Sequence, residues 1–342
     1  MFKKKTVFIV GAGASKEFGL PVGAELKNAI AYKVNIAFQN GYDQSSGDKK
    51  IVEAIRLMLD ERGQRDINPL CQAGRIIASA MPQAISIDNF LHTHAEDYDL
   101  VFMGKIGIAA SILEAERKSN IRADDNGINF AAHPDVWLNT FCKMLAEGVQ
   151  LSALQSIFDN VAFVTFNYDR CIEHYISHWL ANYFQISQDH AQNLTKTLKV
   201  FHPYGQVGRL PWQGGGNTVK YGAELFVSTL PSIANQIRTF TERVEDDTML
   251  DDMRAYISNA EQVVYLGFSY GQMNMELLTI ADCSVYKTIF GTVLGMSHPN
   301  VNAAQTRVEQ SFTAKGNQWA GAREFASAGA NQLLNDYWYH IV

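Results

Sequence analysis

The sequence predicts a Rossmann-like, doubly wound parallel α/β sheet with a helical insertion after its first unit. Three observations carry that expectation. A β-branched run, Thr6-Val7-Phe8-Ile9-Val10, enters the glycine turn Gly11-Ala12-Gly13-Ala14-Ser15. Further short apolar runs recur late in the chain, most of them separated by helical patterns, which is the signature of a parallel sheet. Between the first strand and the later ones lies about a third of the chain in which apolar residues repeat only at helical spacing.

The first strand and its turn come first. Glycine permits a tight turn and lets the backbone approach a pyrophosphate. The following helix would aim its N-terminal N–H groups at that anion. A helix is expected over Lys16 to Ala37, interrupted near its start by Gly19-Leu20-Pro21-Val22-Gly23, and Gly41 to Lys50 reads as a loop. Ile51, Ile55, Met58 and Leu59 begin the helical block, which Ile106, Ala110 and Leu113, then Trp137, Phe141 and Leu145, continue. Ile121 to Asn129 is polar and reads as a loop. Strands are expected at Ala162–Phe166, Leu198–Phe201, Leu225–Ser228, Val263–Leu266 and Thr288–Leu294, with helices at Asp169–Tyr183, Glu245–Ala260 and Met273–Ala281. Arg209 to Gly222, rich in Gly, Pro and Trp, reads as an ordered loop. The expected organisation is one unit: a sheet-forming core from 1–38 and 155–316, a helical insertion over 39–154, and a helical tail over 317–342.

Composition narrows the function. An apolar content of 47% and a charged content of 19% describe an ordered globular chain able to bury a large core. The net charge of −6 gives no general attraction to nucleic acid. The one clear basic cluster, Lys3-Lys4-Lys5, is expected to be a solvated terminus. Four scattered cysteines (Cys71, Cys142, Cys171, Cys283) form no Cys-x-x-Cys pair and read as reduced, buried thiols. The N-terminus has the outline of a signal peptide, but its removal would delete the glycine turn. No run approaches the length of a membrane span. The expectation is a cytoplasmic protein bound neither to membrane nor to nucleic acid.

A nicotinamide dehydrogenase would show Gly-x-Gly-x-x-Gly and an acidic residue ending a second strand. Here Lys16 stands at the third glycine position and helices occupy the second-strand region. No Gly-Lys-Ser/Thr follows the turn, which excludes a Walker phosphate loop. Polar residues do cluster at strand ends, where open α/β sheets bind ligands: Asn167 and Asp169 after one strand, His202 after the next, Gly267 and Ser269 after another. Each has a plainer reading beside the chemical one. Asn167 or Asp169 can cap the following helix, His202 can be a satisfied loop histidine, and Gly267-Phe268-Ser269 can be a simple strand-to-helix turn.

The order of these motifs resembles the sirtuin family. Gly11-Ala12-Gly13-Ala14-Ser15 with Gly19-Leu20-Pro21 resembles its first glycine motif, and Thr165-Phe166-Asn167-Tyr168-Asp169 its Thr-Gln-Asn-x-Asp. His202-Pro203-Tyr204-Gly205 resembles its His-Gly motif, and Leu266-Gly267-Phe268-Ser269 its Gly-Thr-Ser. The resemblance covers the sheet-forming two thirds of the chain. Two departures set it apart from classical deacylating sirtuins. Val22-Gly23-Ala24-Glu25 stands where Asp-Phe-Arg normally follows, and the four-cysteine zinc module is missing. The sequence is more similar to the divergent sirtuin-like branch of bacterial antiphage defence, whose Ile-Asp-x-Phe-Leu motif Ile87-Asp88-Asn89-Phe90-Leu91 matches.

That branch hydrolyses NAD⁺, so the resemblance implies an NAD⁺ hydrolase that consumes NAD⁺ as substrate, needs no zinc, and depletes NAD⁺ in infected cells. It implies ribose orientation and water positioning by Asn167, general-base chemistry by His202, and orientation of the Asn loop or cation stabilisation by Asp169. Gly11, Ala12, Gly13 and Ser15 would cradle the pyrophosphate, with Gly205 from the His-Gly motif also at the ligand. Gly267, Ser269 and Asn274 would hold the adenosine side. Asp88 would lie on the nicotinamide side or cap a helix, and Tyr204 would pack on the ribose or in the core. Since free NAD⁺ hydrolysis would kill the host, control by a homo-oligomer or by a companion sensor from the same system is expected, with 41–154 and Asn317–Val342 as contact surfaces. Two other functions stay open: a protein deacylase or ADP-ribosyltransferase, faintly echoed by Lys220-Tyr221-Gly222-Ala223-Glu224, and an NAD⁺- or ADP-ribose-sensing module without turnover.

Overall fold

A computed structural model describes residues 1–342 apart from 126, 244–246, 282, 284 and 313–320. In chain order the strands are β1 (Thr6–Val10), β2 (Ala37–Gln39), β3 (Asp43–Ser46), β4 (Val161–Thr165), β5 (Lys199–Phe201), β6 (Gln262–Leu266), β7 (Thr288–Thr292) and β8 (Arg323–Ala326). Six of them form one sheet in the order β5-β4-β1-β6-β7-β8, every pairing parallel. Counted within the sheet, this is the 3-2-1-4-5-6 order of doubly wound dinucleotide-binding folds. The protein is therefore an α/β chain of Rossmann type, as its sequence leads one to expect.

The central strands are buried on both faces, which their unbroken apolar character requires. Val7, Ile9, Ala162, Val164 and Val263 face one side and join Ile30, Ile55, Ile77 and Ile106 of the helical block. Phe8, Val10, Phe163 and Val264 face the other, against Trp137, Phe141, Tyr175 and Leu333. The insertion consequently clothes both faces of the sheet: helices Lys49–Glu61, Asn68–Ala80 and Tyr98–Lys118 on one side, helix Trp137–Ala146 on the other. Phe8, Phe141 and Phe163 meet edge-on or stacked with ring centroids 5.0–5.3 Å apart.

Glu17, just after the glycine turn, ties this wrapping together. Its carboxylate accepts from Trp137 N at 2.6 Å and from Asn331 N at 3.0 Å, so one side chain caps the starts of two helices from distant parts of the chain. A buried ion pair does similar work. Arg170, fully buried, donates from Nε to Glu116 Oε1 at 3.1 Å and from Nη2 to Glu116 Oε2, joining helix Tyr98–Lys118 to the segment after β4. Burial pushes the Glu116 carboxyl above its ordinary value, and Arg170 draws it part of the way back.

Four expectations are corrected. Leu225–Ser228 is no strand: Val227–Thr229 makes a 3₁₀ turn into helix Leu230–Ala234, and Phe226 is exposed. An apolar tetrapeptide without a neighbouring strand has nothing to pair with. The expected loop over Gly41 to Lys50 contains β3, paired antiparallel with β2. The signal was present as Asn40-Gly41, which take φ of 52° and 77° and let Tyr42 N donate to Gln39 O at 3.1 Å. The tail over 317–342 is not wholly helical, since β8 adds an edge strand; Arg323 and Glu324 are exposed there, as edge strands allow. The helix expected over Lys16 to Ala37 runs only from Gly23 to Val34, because Gly19 (φ 81°) ends the first turn. Residues 245 and 246 of the helix expected at 245–260, and 317–320 of the tail, Trp319 among them, lie outside the described residues.

Candidate functional site

Register sets the site. Val10 pairs with Thr165 on one side and Leu266 on the other, so Gly11, Phe166 and Gly267 leave the sheet at one level. Val164 pairs with Phe201, which brings His202 level with Thr165. The carboxyl ends of four adjacent strands thus present the motifs singled out in the sequence along a single edge.

Between β1 and β6 the two glycine turns interlock. Gly11 N donates to Leu266 O at 2.9 Å and Gly13 N to Gly267 O at 3.0 Å. A Cβ on Gly11 would stand 2.6 Å from Gly267 O, one on Gly13 2.9 Å from Gly267 Cα, and one on Gly267 2.0 Å from Ala14 N. These glycines are required first by backbone meeting backbone. With the amides of Gly11 and Gly13 so engaged, Ala12 N–H is the group of this turn nearest in kind to an anion ligand.

Between β1 and β4 lies a chain of buried polar groups. Asn167 Nδ2 donates to Gly11 O at 3.1 Å and to Ser15 Oγ at 2.8 Å. Ser15 Oγ in turn donates to Asp169 Oδ2 at 2.8 Å, and Asp169 Oδ1 accepts from Cys171 N at 3.1 Å at the start of helix Cys171–Phe184. Ser15, Asn167 and Asp169 are each under a tenth exposed. One Asp169 oxygen thus holds the helix start and the other holds Ser15. Both amide hydrogens of Asn167 are committed, which leaves its Oδ1 as the acceptor available to a ligand.

His202 follows β5. Its Nε2 lies 2.9 Å from Glu173 Oε1; the Glu173 side chain is buried and that of His202 is 10% exposed. Burial alone would push the Glu173 carboxyl up, but His202 and, more weakly, Arg170 bring it below the ordinary carboxylate range. Gly205 (φ 68°) closes the turn with its N–H on His202 O at 2.9 Å, and a Cβ there would stand 2.0 Å from Gln236 O. Gly205 meets protein backbone at the position where a ligand contact was expected.

Asp88 and Asn274 belong to a third group, linked through tyrosines. Ser86 caps the helix Ile87–Thr93 by accepting from Asn89 N, so Asp88 is not the cap; it accepts instead from Tyr168 OH. Tyr204 OH donates to Asn274 Oδ1 at 2.7 Å. The rings of Tyr168 and Tyr204 meet at 6.2 Å, and Phe166 lies 5.9 Å from Tyr204 and 5.1 Å from Phe268. These four aromatics make a wall from β4 to β6, with Ser269 exposed beyond it. The structure thus joins Gly11, Ser15, Asn167 and Asp169 directly, and places His202 and the Asp88 and Asn274 pair in two adjoining clusters. Sequence reasoning missed Tyr168, Glu173, Arg170 and Glu116. Glu173 was findable only as an acid one helical turn beyond Asp169, and Glu116 gave no signal within a long helical run.

Among the described residues no group of three or more His, Cys, Asp or Glu is placed to hold a metal ion, and no helix is long and apolar enough to cross a membrane. No family model matches the chain, and no curated protein matches it. Among solved structures the chain is similar to the crystal structure of a Sir2 homolog–NAD complex, at 11% identity over 99% of this chain and 90% of that one, with a TM-score of 0.42. A likeness of that degree carries no functional weight; the fold stands on its strand order and pairing.

Proposed function

We propose that this protein is an NAD⁺ glycohydrolase, cleaving the bond between nicotinamide and ribose C1′ to give nicotinamide and ADP-ribose. The observation that carries the reading is the hydrogen-bonded chain Asn167–Ser15–Asp169 at the carboxyl edge of a 3-2-1-4-5-6 sheet, with His202 at the end of the neighbouring strand. The order and wording of the four motifs support it.

The chemistry follows from those groups. Breaking the C1′–N bond sends its electron pair to the nicotinamide, which leaves neutral, and positive charge develops on the ribose. Asn167, with its Nδ2 fixed by Gly11 O and Ser15 Oγ, keeps its Oδ1 aimed to orient the ribose or the attacking water. Water adds to C1′, and His202 takes the proton that water loses. Asp169 acts through Ser15, holding the Asn167 loop in place. Ala12 N–H serves the pyrophosphate, while the wall of Phe166, Tyr168, Tyr204 and Phe268 excludes water from the ribose side.

On the same motif resemblance we place the protein as a toxic effector of antiphage defence, acting in the cytoplasm and restrained by a homo-oligomer or a companion sensor. The exposed Tyr98, Tyr42 and Tyr339 on the helical block, the hairpin and the tail are where such contacts would form. A second reading, an NAD⁺- or ADP-ribose-binding module without turnover, is favoured by the mutual saturation of Ser15, Asn167 and Asp169.

The test is to incubate the purified chain with NAD⁺ and to follow nicotinamide and ADP-ribose by chromatography. Asn167→Ala and His202→Ala should each lower turnover by about a hundredfold or more. Release that both variants retain overturns the site assignment. Thermal stabilisation by ADP-ribose without nicotinamide release gives the binding module, and neither release nor stabilisation overturns both readings.

A further inference from the structure

We infer that Glu173 is the positioning residue of His202, locking its proton on Nε2 and leaving Nδ1 as the nitrogen that exchanges protons with a ligand. The inference rests on the proposed role of His202 for its chemistry, but its structural content stands alone.

The geometry is specific. Glu173 is reached from the opposite element: it sits in the first turn of helix Cys171–Phe184, while His202 ends β5. Glu173 Oε1 is 2.9 Å from Nε2. An ionised carboxylate can only accept, so Nε2 must carry hydrogen in both the neutral and the protonated ring. The other nitrogen, Nδ1, is buried and meets no hydrogen-bond partner among the described residues. In the neutral ring it is therefore a lone pair that no protein donor meets. An unsatisfied buried acceptor of that kind is costly unless something with an O–H comes to it, and a ribose hydroxyl or the attacking water is such a donor. Glu173 Oε2 is likewise buried and without a partner among the described residues, so His202 is the one described side chain that donates to the carboxylate.

The proton balance is simple. Water gives its proton to Nδ1 as its oxygen bonds to C1′ and the C1′–N bond breaks, its electron pair leaving with the neutral nicotinamide. The imidazolium so formed keeps its Nε2–H on the Glu173 carboxylate, which offsets the new charge, and Nδ1–H then returns the proton to solvent. Without Glu173 the ring can carry its proton on Nδ1, where it cannot act as a base toward the ligand.

The experiment reads the tautomer directly. Nitrogen-15 histidine-labelled protein is compared with Glu173→Gln and Glu173→Ala by two-bond proton–nitrogen correlation, the His202 signals being those absent from His202→Ala. NAD⁺ turnover is measured on the same samples. The expected result is an Nε2–H ring in the parent, a shift toward the Nδ1–H form in both Glu173 variants, and turnover reduced about ten- to a hundredfold, by analogy with the loss of partners that orient metal-bound histidines. Glu173→Gln is isosteric and guards against loss of folding in the alanine variant. A parent ring protonated on Nδ1, or a tautomer that neither variant moves, overturns the inference whatever the activity. A tautomer that shifts as expected in a protein that releases no nicotinamide upholds the pairing and removes the hydrolase reading instead.

Discussion

Gly267→Ala tests how the two halves of the sheet are joined at the candidate site. A methyl group there would lie 2.0 Å from Ala14 N and 2.4 Å from Gly13 C, both backbone atoms that no rotamer change can remove. The residue also sits at φ 55°, a left-handed conformation that costs alanine about 1–2 kcal/mol. Relief of the clash requires the turns to part, which weakens the Gly13 N to Gly267 O bond, worth about 1 kcal/mol, and overpacking of this kind costs about 1–3 kcal/mol more. The expected loss is about 3–6 kcal/mol, a large share of the 5–15 kcal/mol typical of a folded domain. Gly19→Ala is the control: its φ of 81° carries the same conformational penalty, but a Cβ there meets nothing within 4 Å, so about 1–2 kcal/mol is expected. Urea denaturation followed by circular dichroism measures both, with the midpoint read at unchanged slope. If Gly267→Ala is no less stable than Gly19→Ala, the interlock of the glycine turns is not what holds this edge together.

The buried pair Arg170 and Glu116 gives a second expectation: Glu116→Gln or Arg170→Met alone should cost about 3–5 kcal/mol, while the double replacement Glu116→Leu with Arg170→Met recovers most of it in the same denaturation assay. Glu114 gives a pH dependence. It lies between Lys33 at 2.6 Å and Lys118, whose hydrogen bonds hold its carboxyl down to about 2 from 4.5. A depressed carboxylate stabilises the fold above its unfolded value, and the gain is lost as pH falls from there toward about 2. Because the side chain is 41% exposed, the increment is held to less than about 1 kcal/mol. Glu114→Gln should therefore melt slightly below the parent at pH 7 in low salt, and level with it near pH 2; a gap that persists at low pH refutes the assignment.

Much of the sheet could be read from the chain because parallel strands buried on both faces must be continuously apolar. β1, β4, β6 and β7 announced themselves as Val-, Ile- and Phe-rich runs ending in Gly, Asn or a turn. β8 did not, since an edge strand with one exposed side tolerates Arg323 and Glu324. The hairpin of β2 and β3 was written in Asn40-Gly41 but masked by polar strands. Among the site residues, Ser15, Asn167 and Asp169 were legible because they follow strand ends at the same level; Glu173 and Tyr168 were not, because what marks them is a partner, His202 or Asp88, far away in sequence.

The sequence by itself determined where strands stop and which polar groups stand at those stops, since both follow from local periodicity and turn chemistry. Tertiary structure decided what those groups touch. Only the common register of β4, β1 and β6 brings Gly11, Asn167 and Gly267 to one edge, and only there do the glycine amides bond to the opposite turn and the amide hydrogens of Asn167 reach Ser15 and Gly11. Hydrogen-bond partners and steric contacts are short-ranged, and residues more than a hundred positions apart acquire them only when the sheet sets their distance.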